Sequence, residues 1–213
     1  MSKATVATMA GLGSAGLGGG IYLASGNNNP EVVKETIKSK LLKDKYVPLN
    51  ADESNHTSHW TASLEKYNNS RSGQTAYTQE QLRELCEGLF KKEEIGSDDY
   101  NVAKKYCVIP QKISERLKAL SFKAIDTTGS DSATTEKWKK LSKAYKSQGS
   151  GNKQLDNLAN SGVDDQDGSA LKNKCKDVFD KEHWDQHYDT LLERSKIWCT
   201  EEGLSNLPDG VGA

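Results

Sequence analysis

Residues that build an apolar interior are scarce in this 213-residue chain: 34% are hydrophobic, with three phenylalanines and two methionines, while 28% are charged. A core drawn from so small a share is thin for the length. Excess charge of either sign is also missing. Lys and Arg number 29 against 30 Asp and Glu, a formal net charge of -1, and the signs are interleaved along the chain rather than collected into blocks. Nucleic-acid binders need a clustered basic surface to displace counterions, so no nucleic-acid partner is expected.

Several chemistries are excluded by what the sequence lacks. The four cysteines include no CxxC spacing, which argues against structural zinc. The glycine-rich run Gly16 to Gly20 has no following Lys-Ser/Thr pair and is not a phosphate loop. "DDQDG", Asp164 to Gly168, places Val163 and Lys174 at the first and last ligand positions of a calcium loop, which is not an EF-hand. No serine or cysteine can be tied to a base as a nucleophile. No catalytic residue and no cofactor is therefore expected, and the chain reads as a non-enzyme.

What is present begins with a leader. Residues 1–26, "MSKATVATMAGLGSAGLGGGIYLASG", hold one charged side chain, Lys3, and none follows until Glu31. Ala4 to Ser25 has the length of a membrane-spanning helix, about 20 residues, although six glycines weaken it. Gly11, Ala15 and Gly19 would share one helical face open to close approach by another helix. A cleaved signal fits the same features, with Ala24, Ser25 and Gly26 as the small residues before a cut. The expectation is an N-terminal transmembrane anchor or signal segment, and hence a membrane partner, followed by a linker at 27–30. Five lysines between Lys34 and Lys45 argue for an inward-facing domain, but Glu31, Glu35 and Asp44 intersperse them and long domains translocate regardless of local charge.

After the linker the pattern is helical and appears twice. "TIKSKLLKDKYVPLN" (Thr36 to Asn50) lies against "KISERLKALSFKAID" (Lys112 to Asp126) without a gap. Trp60, Leu64 and Tyr67 answer to Trp138, Leu141 and Tyr145; Leu82, Cys86, Leu89 and Phe90 to Leu171, Cys175, Val178 and Phe179; and Ala103, Tyr106 and Cys107 to Ser195, Trp198 and Cys199. The fold class is read as all-α: two tandem, diverged four-helix units at 31–110 and 111–207, each with one short extended piece ("YVPLN" or "FKAID"), and a flexible tail at 208–213. A very small two-strand pairing of those pieces is allowed, although Pro48 confines it to an edge. Thr78 and Gln81 form a capping box ahead of an apolar face made by Leu82, Leu85, Cys86, Leu89 and Phe90. Gly96 is expected to end that helix, with Ser97 or Asp98 capping the next.

Gly96 also lies almost midway between Cys86 and Cys107, and the segment Lys181 to Gln186 sits likewise between Cys175 and Cys199. Helical hairpins folded there bring each pair of sulfurs level, which favours Cys86 with Cys107 and Cys175 with Cys199 among the three pairings that four cysteines permit. Four reduced, buried thiols are the alternative. His183 and His187, four apart in "HWDQH", would share a helical face as zinc ligands, yet the sequence lacks the glutamate of an HExxH helix; two solvated histidines beside a turn are the plainer reading. His56 and His59 are expected at the surface.

The leader "AGLGSAGLGGGIYLAS", the unit "LLKDKYVPL" followed by a tryptophan helix, and the "KYCVIP" and "KIWCT" signatures resemble the large paralogous families of uncharacterised proteins in haemotropic mycoplasmas. The resemblance implies a protein exposed on the surface of a wall-less cell, involved in host contact or antigenic variation, and it brings no site residues. The expected localisation is the cell membrane with the large domain extracellular and a host or other protein as partner. A helical interaction module on the cytoplasmic face and a zinc-dependent enzyme are the alternatives.

Overall fold

The computed structural model describes residues 34–93, 98–164 and 166–207. The leader, the linker at 27–30, residues 31–33, Gly96 and the tail lie outside these residues. Among the described residues the protein is all-α, and no helix there is long and apolar enough to cross a membrane.

Among the described residues, four α-helices precede Pro110: α1 (Ile37–Lys43), α2 (Thr57–Ser70), α3 (Gln79–Phe90) and α4 (Asp98–Tyr106). Five follow: α5 (Ile113–Ala119), α6 (Ser132–Gln148), α7 (Ser169–Phe179), α8 (Tyr188–Trp198) and the short α9 (Glu201–Ser205). The buried apolar residues divide in the same way. Ile37, Leu41, Trp60, Leu82, Cys86 and Leu89 belong to one cluster, while Ile113, Leu117, Trp138, Leu171, Cys175 and Trp198 belong to another. Every extensive helix–helix packing falls within one half of the chain.

Local sequence explains the helix starts. Thr36 and Ser39 exchange bonds at the head of α1, Thr36 N–H to Ser39 Oγ at 2.9 Å and Ser39 N–H to Thr36 Oγ1 at 3.2 Å. The Thr78–Gln81 box at the head of α3 is present as expected, at 2.9 and 3.3 Å. In α6, Asp131 Oδ1 accepts from the Thr134 N–H at 2.9 Å, leaving one fewer unpartnered donor in the first turn. Helix α3 ends at Phe90 with Lys91 as its cap, earlier than Gly96.

The ends of α1 and α5 were not foreseeable from glycine. Lys45 (φ 64°) and Ser121 (φ 67°) are both left-handed. At α1, Lys45 N–H donates to Leu42 O and Tyr46 N–H to Leu41 O (3.0 and 2.8 Å); at α5, Ser121 N–H donates to Lys118 O and Phe122 N–H to Leu117 O (2.9 Å each). These are Schellman closures, each with an apolar residue just beyond the turn and another in the last helical turn.

The extended pieces that follow do not form one small sheet with each other. Each makes a single antiparallel bridge inside its own half, Pro48 with Val108 and Ala124 with Thr200. Leu49 N–H donates to Cys107 O at 2.8 Å and Ile125 N–H to Cys199 O at 3.0 Å. The tryptophans then lock the loop that follows each piece: Trp60 Nε1 donates to Asn50 O at 3.3 Å, and Trp138 Nε1 to Asp126 O at 2.9 Å. Leu64 is half-buried, and the fully buried position one residue earlier is Ser63.

The longer second half uses its extra chain to line the core. Leu155 and Val163 are buried there, and Tyr145 is held through its hydroxyl, which accepts from Leu155 N–H at 2.9 Å and donates to Leu158 O at 2.6 Å. Trp198 Nε1 donates to Lys153 O at 2.7 Å. Within the "DDQDG" stretch Asp165 lies outside the described residues; Gln166 and Asp167 turn into α7, and Asp167 Oδ1 accepts from Ser169 N–H at 2.8 Å. Gly168 (φ 70°) lies where a Cβ would sit 2.6 Å from the Trp138 backbone, so a larger residue is barred by both space and conformation.

Because a side chain in the left-handed region costs about 1–2 kcal/mol, Ser121→Gly should leave stability unchanged or raise it. The β-branched Ser121→Val should lower it by about 1–2 kcal/mol. Thermal unfolding of the two variants beside the parent checks both directions; equal midpoints for glycine and valine would contradict the strain assigned to this turn.

Candidate functional site

All four cysteines are buried with no exposed surface, and they are brought together as the spacing predicts. Cys86 of α3 is bonded to Cys107, just past α4, and Cys175 of α7 to Cys199, just past α8; the Cα separations are 5.5 and 5.7 Å. The partners follow from helix geometry. Cys86 lies on the same α3 face as Leu82 and Leu89, and Cys175 on the α7 face of Leu171 and Val178, so each sulfur points into its own core. Cys107 N–H donates to Ala103 O at 2.9 Å and Cys199 N–H to Ser195 O at 2.8 Å, which holds the second cysteine in place as its helix ends.

The histidines overturn two expectations. His56 and His183 are buried, at 3% and 6% exposure, where surface positions were expected. His56 is drawn inward because its Nδ1 accepts the Asn50 N–H at 3.0 Å and its Nε2 lies 3.1 Å from the Glu53 carboxylate, which ties the loop beside Trp60. His183 and His187 do not share a helical face, since α8 begins at Tyr188. The Nε2–H of His183 donates to Lys104 O at 2.9 Å, while His187 is exposed. No group of three or more His, Cys, Asp or Glu side chains among the described residues is placed to hold a metal ion.

His183 belongs instead to a joint between the two halves, where donors from the second half cover the carbonyl ends of helices in the first. Arg116 on α5 donates to Lys45 O at 2.8 Å and to Asp44 O, closing the end of α1. Its guanidinium also stacks 3.6 Å above the centre of the Tyr46 ring. At the end of α4, Trp184 Nε1 donates to Lys105 O at 3.0 Å beside the His183 bond. The last carbonyls of a helix have no partner within it, and they are its negative pole, so a cation at the end of α1 is favourable. Tyr188 Oη donates to Gln111 O at 2.8 Å and braces the connector. Burial pushes the Tyr188 hydroxyl pKa above its ordinary value. Burial opposes the charge on Asp44, but the Lys40 ammonium and the Tyr100 hydroxyl outweigh it and hold the carboxyl below its usual range. The sequence signal for this joint was Trp184, a tryptophan without a counterpart in the first half.

A groove of about 730 Å³ lies in the first half. Leu42 and Val47, 52% and 46% exposed, give it an apolar lip, and Arg83 lines it with the guanidinium 5.7 Å from the Trp60 ring centre. In the second half, Lys172 Nζ donates to Gly129 O at 2.6 Å.

Removing either staple should cost stability without removing secondary structure. For loops of 21 and 24 residues, Cys86→Ala with Cys107→Ala, or Cys175→Ala with Cys199→Ala, should each lower the unfolding free energy by about 3 kcal/mol. Urea denaturation of the parent and the two double variants is the measurement; coincident curves would contradict a structural role for the bonds.

Compared with known protein families, with curated proteins and with solved structures, the chain matches none of them.

Proposed function

We propose that this chain is a membrane-anchored helical protein whose folded part faces out of the cell and presents a polar exterior for contact with a host or another protein, without catalysis. In this reading residues 1–26 hold the chain to the membrane, and the two halves are diverged copies of one four-helix unit, the second with α9 added. Paired Schellman turns at Lys45 and Ser121, paired tryptophan bonds to Asn50 O and Asp126 O, and paired bridges favour duplication over chance similarity.

The observation that carries the outward placement is the pair of buried disulfides, each closing one core. Such bonds persist in oxidising surroundings and are rare where glutathione keeps thiols reduced. The lysines that argue for the inner face are partly neutralised: Lys34 pairs with Glu93 at 2.9 Å, Lys43 with Glu35 at 3.6 Å and Lys40 with Asp44, which weakens their pull on anionic lipid. The resemblance to the paralogous surface families of haemotropic mycoplasmas supports the same reading.

Two measurements test it together. Protease added to intact cells should remove the folded part, and non-reducing peptide mapping with thiols blocked at lysis should recover Cys86 joined to Cys107 and Cys175 to Cys199. Survival of the domain in intact cells with four blocked thiols would refute the outward placement.

A further inference from the structure

The joint between the halves is sparse and polar, yet it is sealed by a buried imidazole. Residues 109–112 join the halves covalently; beyond that connector, the crossing contacts include the carbonyl bonds of Arg116, His183 and Trp184, the stacking of Arg116 on Tyr46, the edge contact of Tyr46 with His183, Lys66 at 5.6 Å from the Trp184 ring centre, and ion pairs at the rim. Among those pairs Lys104 meets Asp189 at 2.5 Å and Lys66 approaches Glu182 at 4.0 Å. Each half keeps its own apolar cluster and its own disulfide. Separating the halves therefore breaks the joint and uncovers Tyr46 at the edge of the first cluster, while the rest of each cluster and both disulfides stay within their own half.

We propose that this joint is operated by acid: protonation of His183 breaks the seal and lets the two stapled halves swing apart about residues 109–112. The geometry makes the neutral ring part of the closed state. Because a carbonyl can only accept, the bond to Lys104 O requires the proton on Nε2, and this leaves Nδ1 as a buried lone pair with no hydrogen-bonding partner among the described residues. A second proton turns Nδ1 into a buried N–H without an acceptor and puts a full charge into the site, both of which burial penalises. Tyr46 from the end of α1 and Trp184 and Tyr188 beside the ring present aromatic surface, at centroid distances of 6.1, 6.0 and 5.2 Å.

The charged groups around the ring do not rescue the imidazolium. Arg116 from α5 and Lys104 from α4 oppose it, and Asp189 on α8 favours it but is 63% exposed and already engaged with Lys104. At the α2 side, Glu182 pairs with Lys66 near the surface, 64% and 39% exposed. Burial is the largest influence and outweighs the bond to Lys104 O, which favours the charged ring, so that the His183 pKa falls from 6.5 to about 4. A depressed value means the closed joint prefers the neutral ring. That preference acts in full above pH 6.5 and is withdrawn as the pH falls from 6.5 toward 4. Since each pKa unit is tenfold, complete withdrawal shifts the closed-to-open ratio by up to about 300-fold. Opening would uncover Tyr46 and Trp184, together with the carbonyls of Asp44, Lys45, Lys104 and Lys105. The inference rests on the joint alone and is independent of the membrane side the protein occupies.

Hydrogen exchange on the full chain with both disulfides intact, corrected for the intrinsic effect of pH, is the test. Between pH 6.5 and 4, peptides spanning Lys104 to Gln111 and Lys181 to Tyr188 should lose protection while α3 and α7 keep theirs. In His183→Gln, whose amide can donate to Lys104 O but does not titrate, the joint should stay protected over that range. Equal loss in the variant, or constant protection in the parent, would overturn the proposal. NMR titration of the unaltered protein reads the same step without a substitution: a His183 midpoint near 6.5, unaccompanied by joint opening, would also overturn it.

Discussion

Helix ends govern this structure. Its helices are short, from the five residues of α9 to the seventeen of α6, so a large share of the backbone sits in first and last turns where carbonyls and amides have no partner within the helix. A chain with a generous apolar interior can leave such ends in water. One whose core is thin must bring the ends together to enclose any core, and must then supply a donor or acceptor for each end it covers. The Schellman turns at Lys45 and Ser121, the indole bonds of Trp60 and Trp138, and the Arg116, His183 and Trp184 contacts are different answers to that single demand.

The disulfides fit the same account. Each links a helix whose cysteine faces the core to the residue just past a neighbouring helix, at the place where an extended piece pairs with the chain. Cys107 and Cys199 thus serve twice, through sulfur to the core helix and through their carbonyls to Leu49 and Ile125. The covalent bond and the backbone bond fix one point from two directions. This is how a small cluster such as Ile37, Leu41, Leu82 and Leu89 holds together with only one face of each helix contributing.

What could be read from the sequence was whatever depends on residue class and spacing. The all-α character, the Thr78–Gln81 box and the apolar face of α3 follow from periodicity, and the cysteine partners followed from the hairpin geometry. The features that escaped depend on where a chain closes in space. Lys45 and Ser121 carry no glycine signal because the Schellman geometry is imposed by the apolar residues on either side. His56 and His183 looked like surface residues because their burial comes from single backbone partners, Asn50 and Lys104, six and 79 positions away. The extended pieces gave no indication of their partners, since one bridge leaves no alternating pattern. Helix α9, only five residues long, has too few positions to show a period; it depends on Gly203, whose Cβ would lie 2.1 Å from Ile197 O.

Most of the long-range side-chain anchors share a property: their acceptors are main-chain carbonyls. Trp184 binds Lys105 O, Trp198 binds Lys153 O and Tyr188 binds Gln111 O, and in none of these does the acceptor residue's own side chain take part. Replacement of the exposed Lys153 by another L-residue that keeps the backbone conformation therefore alters the outer chemistry of the molecule and leaves the bond in place. The demands this architecture makes on its sequence are therefore unequal: a few tryptophans, tyrosines and cysteines carry bonds that their own side chains must make, while residues that lend only a carbonyl carry bonds that do not depend on their side chains.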